Sequence, residues 1–136
     1  MIRKTLQLVY IGLVLYMLVN ILIAVYVAGM SVFVSAVNWG MHQIWGWNLF
    51  DPALVLVPLA LLAKLPRRLI LMSGVLSVLV IIQIFLPHLR NTFVYASALH
   101  PVNALLVFGV TVTVLWLTLQ FLRGEINENQ KIKDQS

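Results

Sequence analysis

The chain contains no cysteine. That excludes disulfides, iron–sulfur clusters, thiolate zinc sites and cysteine nucleophiles. Charge is nearly as scarce. Charged residues make up 10% of the 136, and only four are acidic, against about 25% charged in ordinary soluble domains. Disordered chains are polar and highly charged, so disorder is excluded as well. The sequence also lacks a glycine-rich phosphate loop, an HExxH helix and paired carboxylates. Ser31, Ser35, Ser73, Ser77 and Ser97 have no arranged base nearby in the sequence. Nothing here reads as a hydrolase, a transferase or a nucleotide-binding protein.

What is present is apolar. The hydrophobic fraction is 62% and the mean hydropathy is +1.00. A soluble domain of this size cannot hide so much apolar surface, so the solvent is a lipid bilayer. Residues 5–50 carry no charge, which is room for one membrane span of about 20 residues, a turn and the start of a second. A cleaved signal peptide would have an apolar core of only about 7–15 residues, so the first run reads as a true helix.

The expected fold is all-α, an integral membrane four-helix bundle with helices at about 6–30, 38–63, 66–86 and 97–122. Residues 1–123 form its transmembrane domain, and the polar segment 124–136 is expected to be a frayed tail. Asn38 is the expected N-cap of the second helix. Pro52 and Pro58 are expected to bend that helix, and Pro101 falls in the first turns of the fourth, where proline is tolerated. Gly29, Gly74 and Gly109 are expected to allow close helix contacts.

The net charge is +5. The cations lie in clusters separated by uncharged runs, which is the pattern of loops flanking spans rather than a nucleic-acid surface. With a cytoplasmic N-terminus, the inner side holds Arg3, Lys4, Lys64, Arg67, Arg68, Arg123, Lys131 and Lys133, and the outer side only Arg90. The positive-inside rule then puts both termini in the cytoplasm of a cell-membrane protein.

Few polar residues remain to carry chemistry. This topology puts His42, His88 and His100 near the outer face. His42 is followed one helical turn later by Gly46, and His100 by Asn103 and Ala104, so each has short residues on its own face. A flat macrocycle between two helices needs such a gap. Cofactor sites in bundles are built from facing helices, and imidazole is a standard axial ligand of heme iron. The functional reading is that His42 and His100 ligate one heme b. The competing reading is that they are ordinary interfacial histidines, which cost little at headgroup depth, beside an aromatic belt of Trp39, Trp45 and Trp47. His88 follows Pro87 in a loop and is the weakest ligand candidate. Arg90 can match a heme propionate bidentately, or be a plain loop arginine. Gln83 can hydrogen-bond a ligated imidazole, or act as interhelical glue. Asp51 falls near mid-membrane, where an ionisable group is costly, and faces away from His42. The expectation is a structural contact with Asn20 or Thr111. A proton relay and a docking residue for a partner are the alternatives.

Three elements carry a resemblance. They are Trp39-x-x-His42-x-x-x-Gly46, Leu65-Pro66-Arg67-Arg68, and Leu99-His100-Pro101-Val102-Asn103-Ala104. Together they resemble an uncharacterised family of small bacterial four-helix membrane proteins. More loosely, the placement of His42 and His100 is similar to the bis-histidine half-bundles of heme A synthase and membrane b-type cytochromes. That resemblance implies heme binding. The acidic residue and the arginine that flank the second-helix histidine of heme A synthase are absent here, where Gly40, Met41 and Gln43 stand. The function expected is a small electron carrier or heme-binding subunit. The alternative is an accessory subunit, without its own cofactor, of a larger membrane complex, respiratory or other. A homo-oligomer remains open.

Overall fold

The computed structural model describes residues 2–134, without the side chains of Ile126, Glu128, Asn129, Ile132 and Lys133. It is all-helical. α1 spans Ile2–Phe33, α2 Trp39–Trp47, α3 Phe50–Leu62, α4 Arg67–Phe85, α5 Val94–Ser97 and α6 His100–Asp134. Short 3-10 turns at Ala36–Asn38 and Leu86–Asn91 complete the chain. Four helical segments are long and apolar enough to cross a membrane: Ile2–Phe33, Ala36–Leu62, Arg67–Asn91 and Val94–Glu125.

The helices close into a ring in chain order. α1 packs on α2 and α3, α3 on α4, α4 on α6, and α6 back on α1. In α1 the buried residues are Gln7, Tyr10, Val14, Met17, Asn20, Ile21, Ala24, Val27 and Ser31, a stripe that recurs every three or four residues, as a helix packed along its length requires. They meet Ala53, Leu56 and Leu59 of α3, Leu69, Leu76 and Val80 of α4, and Val107, Val114 and Leu117 of α6. The outward face is equally apolar, with Leu15, Leu22, Val55, Leu62, Leu71, Leu105 and Trp116 exposed. Water cannot solvate that surface cheaply, whereas lipid can.

Hydrogen bonds cross the core at a few points. The Tyr10 and Ser73 hydroxyls lie 2.7 Å apart, and Ser77 donates to the Ala53 carbonyl. Gln7 Nε2 and Asn20 Oδ1 are buried with no partner among the described residues.

The second span is not one bent helix. It breaks between α2 and α3 at Asn48–Leu49. Pro52 has no N–H to return to the Asn48 carbonyl one turn earlier, so the ladder fails upstream of the ring itself. Pro52 then lies in the first turn of α3, where a missing donor costs little, and α3 runs on through Pro58.

Other local expectations are corrected too. Asn38 does not cap α2 with its side chain. It donates instead to the Met30 carbonyl at 3.4 Å, and the neighbouring cap is Ser35, whose Oγ accepts from Val37 N. The chain reverses between α3 and α4 through Lys64 at φ 52°. There Leu65 N bonds the Ala60 carbonyl and Lys64 N the Leu61 carbonyl, the paired bonds of a left-handed helix end. Gly29, Gly74 and Gly109 make no close helix contact, because a Cβ added at any of them would meet nothing within 4 Å. The polar tail does not fray at residue 122. α6 continues to Asp134, with no proline to stop it, and Arg3 pairs with Glu125 across the base of the bundle. Residues 135 and 136 of that tail lie outside the described residues.

Candidate functional site

The end of α1, the start of α2, the end of α4 and the start of α6 share one end of the bundle. Short α1–α2 and α4–α6 connections force this, and they bring His42 and His100 together. The ring centroids are 6.1 Å apart and the planes stand 80° to one another.

Each imidazole is aimed by the backbone of a different helix. His42 Nδ1 lies 2.8 Å from the Ala24 carbonyl of α1, and His100 Nδ1 2.9 Å from the Gln83 carbonyl of α4. A carbonyl can only accept, so both Nδ1 atoms carry the proton. Both Nε2 atoms are then left with a lone pair. Trp39 packs edge-on to His42 with centroids 5.5 Å apart, which fixes the ring further.

Gln83 is tied in twice. Its side-chain Nε2 donates to His100 Nε2 at 3.2 Å, and its Oε1 accepts from Asn103 Nδ2 at 2.7 Å. Asn103 is 7% exposed and also donates to the Leu79 carbonyl at 2.9 Å. The orienting acceptor is the Gln83 backbone carbonyl, and the side-chain amide covers the free nitrogen.

Two clefts flank these residues. The first, about 580 Å³, is walled by Ala24, Val25 and Ala28 of α1, Gly46 of α2, and Ala104 and Phe108 of α6, with both His42 and His100 on its surface. Small side chains leave the gap, as expected from Gly46 and Ala104. The second, about 660 Å³, is the more polar of the two and lies between α2 and the 3-10 turn after α4. It is lined by Gln43, Trp47, His88, Arg90 and Asn91. Trp39, His42, Gly46, Gln83 and Ile84 border both clefts.

Of the sequence-derived site residues, His42, His100, Gly46 and Gln83 share the first cleft and Asn103 supports it from below. Arg90 does not line that cleft and belongs to the second. His88 is there as well, its Nδ1 bonded to the Ile84 carbonyl at 3.0 Å. Among the described residues, no group of three or more His, Asp or Glu side chains is placed to hold a metal ion. A site built from protein ligands alone is therefore not formed.

Asp51 corrects another expectation. It is exposed in the first turn of α3, and neither Asn20 nor Thr111 bonds it. The Thr111 hydroxyl bonds the Val107 carbonyl of its own helix. The sequence reading missed the carbonyls of Ala24 and Gln83, which no side-chain pattern can reveal. It also missed Gln43 and Asn91, whose only signal was their placement near the span ends.

The fold and these clefts define a multi-pass four-helix membrane protein. Residues 24–90, from α1 to the turn that carries Arg90, match DUF6220, a family of unknown function. No curated protein and no solved structure matches the chain. The comparisons therefore supply no link to heme A synthase or to membrane cytochromes.

Proposed function

We propose that this protein is a small b-type heme protein of the cell membrane. On this reading His42 and His100 would hold the heme iron, and both termini would lie in the cytoplasm. One observation carries the reading: two imidazoles from facing helices, each with its Nδ1 proton given to a backbone carbonyl, at a centroid separation of 6.1 Å. Two imidazoles that share one metal through Nε2 need a separation of about 6.5 Å, from bonds of about 2.1 Å each plus the two ring radii, so these rings have only to part slightly. Carbonyl bonding at Nδ1 is also what holds metal-ligating histidines in the right tautomer. The cleft volume of about 580 Å³ falls in the range of cofactor pockets, about 300–1,000 Å³, and its walls are apolar.

The chain's own residues have four tasks. His42 and His100 present their lone pairs. Ala24 and Gln83 hold the rings through backbone bonds. Gly46 and Ala104 keep the gap open, while Val25, Ala28 and Phe108 exclude water. The Gln83 amide must turn away from His100 Nε2 before that nitrogen can ligate. A bound heme supplies one-electron chemistry, and two histidine ligands leave no position for oxygen, which favours electron transfer. The Gln83 carbonyl would tune the site through His100 Nδ1.

The test is the visible spectrum of the purified protein and of His42→Ala/His100→Ala. The wild type should show a sharp Soret band with reduced α and β bands. The double variant should lose it, and His88→Ala should retain it. Normal heme content in the double variant would falsify the ligand assignment.

One observation favours the second reading, an accessory subunit of a larger membrane complex. Asp51 is exposed about midway along the second span, where a carboxylate against lipid is costly, and a partner helix that offers a donor relieves that cost.

A further inference from the structure

The polar cleft has features that the heme reading does not use. Arg90 is the lone Lys or Arg at this end of the bundle, and among the described residues it has no ion pair or hydrogen bond. No carboxylate lines the cleft. The described acids are Asp51, Glu125 and Asp134, of which Glu125 pairs with Arg3 at the opposite end. Around Arg90 stand neutral donors: the Gln43 and Asn91 amides and the Trp39 and Trp47 indoles. His88 is not one of them, because its Nδ1–H is given to the Ile84 carbonyl and its Nε2 is left an acceptor. A guanidinium without an anion, in a cleft of about 660 Å³ rich in donors and empty of carboxylates, is complementary to an oxyanion.

We propose that this cleft binds the phosphodiester of a membrane phospholipid, with Arg90 as the charge partner and Gln43 and Asn91 as supporting polar contacts. Charge and place select the ligand. One arginine balances the single charge of a phosphodiester, whereas a dianionic free phosphate is left half-neutralised. Trp39 and Trp47 are residues of the headgroup layer, where phosphodiesters are the abundant anion. The inference does not rest on heme binding.

The experiment is native mass spectrometry of delipidated protein in detergent, titrated with phosphatidylglycerol, with a diacylglycerol of the same chains, and with phosphatidylglycerol in the presence of inorganic phosphate. The expected result is one tightly retained phosphatidylglycerol and no retained diacylglycerol. Arg90→Gln should weaken phosphatidylglycerol binding about tenfold or more, the effect of removing a charge-assisted bidentate contact. Arg90 is exposed, so the variant should fold as the wild type does, which circular dichroism checks. Equal binding of both lipids, or an Arg90→Gln variant that binds as the wild type does, overturns the proposal. Displacement by millimolar inorganic phosphate also overturns it and makes the cleft a site for a soluble anion. His100→Ala, whose ring lies outside this cleft, should bind phosphatidylglycerol normally, even if it loses heme. If Arg90→Gln instead lowers heme retention and leaves lipid binding unchanged, Arg90 serves heme propionates and the lipid assignment is wrong.

Discussion

Replacing Gln83 by leucine separates two roles that one residue plays. Its backbone carbonyl orients His100, and the substitution leaves that carbonyl in place. Its side-chain amide donates to His100 Nε2 at 3.2 Å, the nitrogen that would ligate iron on the proposed reading. Ligation in the wild type would then break a hydrogen bond first. At 3.2 Å the bond is at the long end of the normal range. A neutral hydrogen bond contributes a net of about 0.5–1.5 kcal/mol, so the amide weakens binding by about twofold to tenfold. In Gln83→Leu this competition is gone. Asn103 loses Gln83 Oε1 as an acceptor but keeps the Leu79 carbonyl at 2.9 Å. That loss is present with and without heme and largely cancels in the binding free energy. Apo-protein in lipid nanodiscs, titrated with hemin and followed at the Soret band, should give a dissociation constant lower by about twofold to tenfold, while thermal stability falls slightly. Weaker hemin binding in Gln83→Leu would refute the reasoning, since the amide would then be a support of the bound state. An unchanged constant would show that it never competes for His100 Nε2.

The remaining expectations follow from the same geometry. Loss of heme in His42→Ala/His100→Ala, with retention in His88→Ala, tests the ligand pair, and loss of phosphatidylglycerol in Arg90→Gln tests the polar cleft. A reporter fused after residue 136 should be active only in the cytoplasm, because eight of the nine Lys and Arg residues fall on the side of the termini; activity outside the membrane would invert the topology. Asp51→Asn should leave folding of the isolated protein within about 0.5 kcal/mol of wild type, as expected for an exposed side chain with no bonded partner. A large drop in its melting temperature would show an intramolecular contact at Asp51, whereas failure of a complex to assemble around a normally folded variant supports a partner helix.

Some of this protein is written locally in its sequence. The number of spans follows from uncharged runs and the length needed to cross hydrocarbon, and the four segments of the structure fall where those runs lie. The gap beside His42 and His100 was legible because Gly46 and Ala104 sit one turn beyond each on the same face. Other features depend on how each helix is turned about its axis, and there the sequence is nearly silent. Leu56 is buried and Val55 exposed, yet both are apolar. In lipid the inward and outward faces need not differ in polarity, so the hydrophobic periodicity that fixes rotation in a soluble helix is lost. For that reason Asp51 read as an inward contact for Asn20 or Thr111, and tertiary packing turned it outward. The break at Asn48–Leu49 lay a turn from its cause at Pro52 because the missing hydrogen bond reaches back four residues. The carbonyls of Ala24 and Gln83 that aim the two imidazoles, and the separation of Arg90 into its own cleft, arise from contacts between helices distant in sequence. Only the closed bundle decides such contacts.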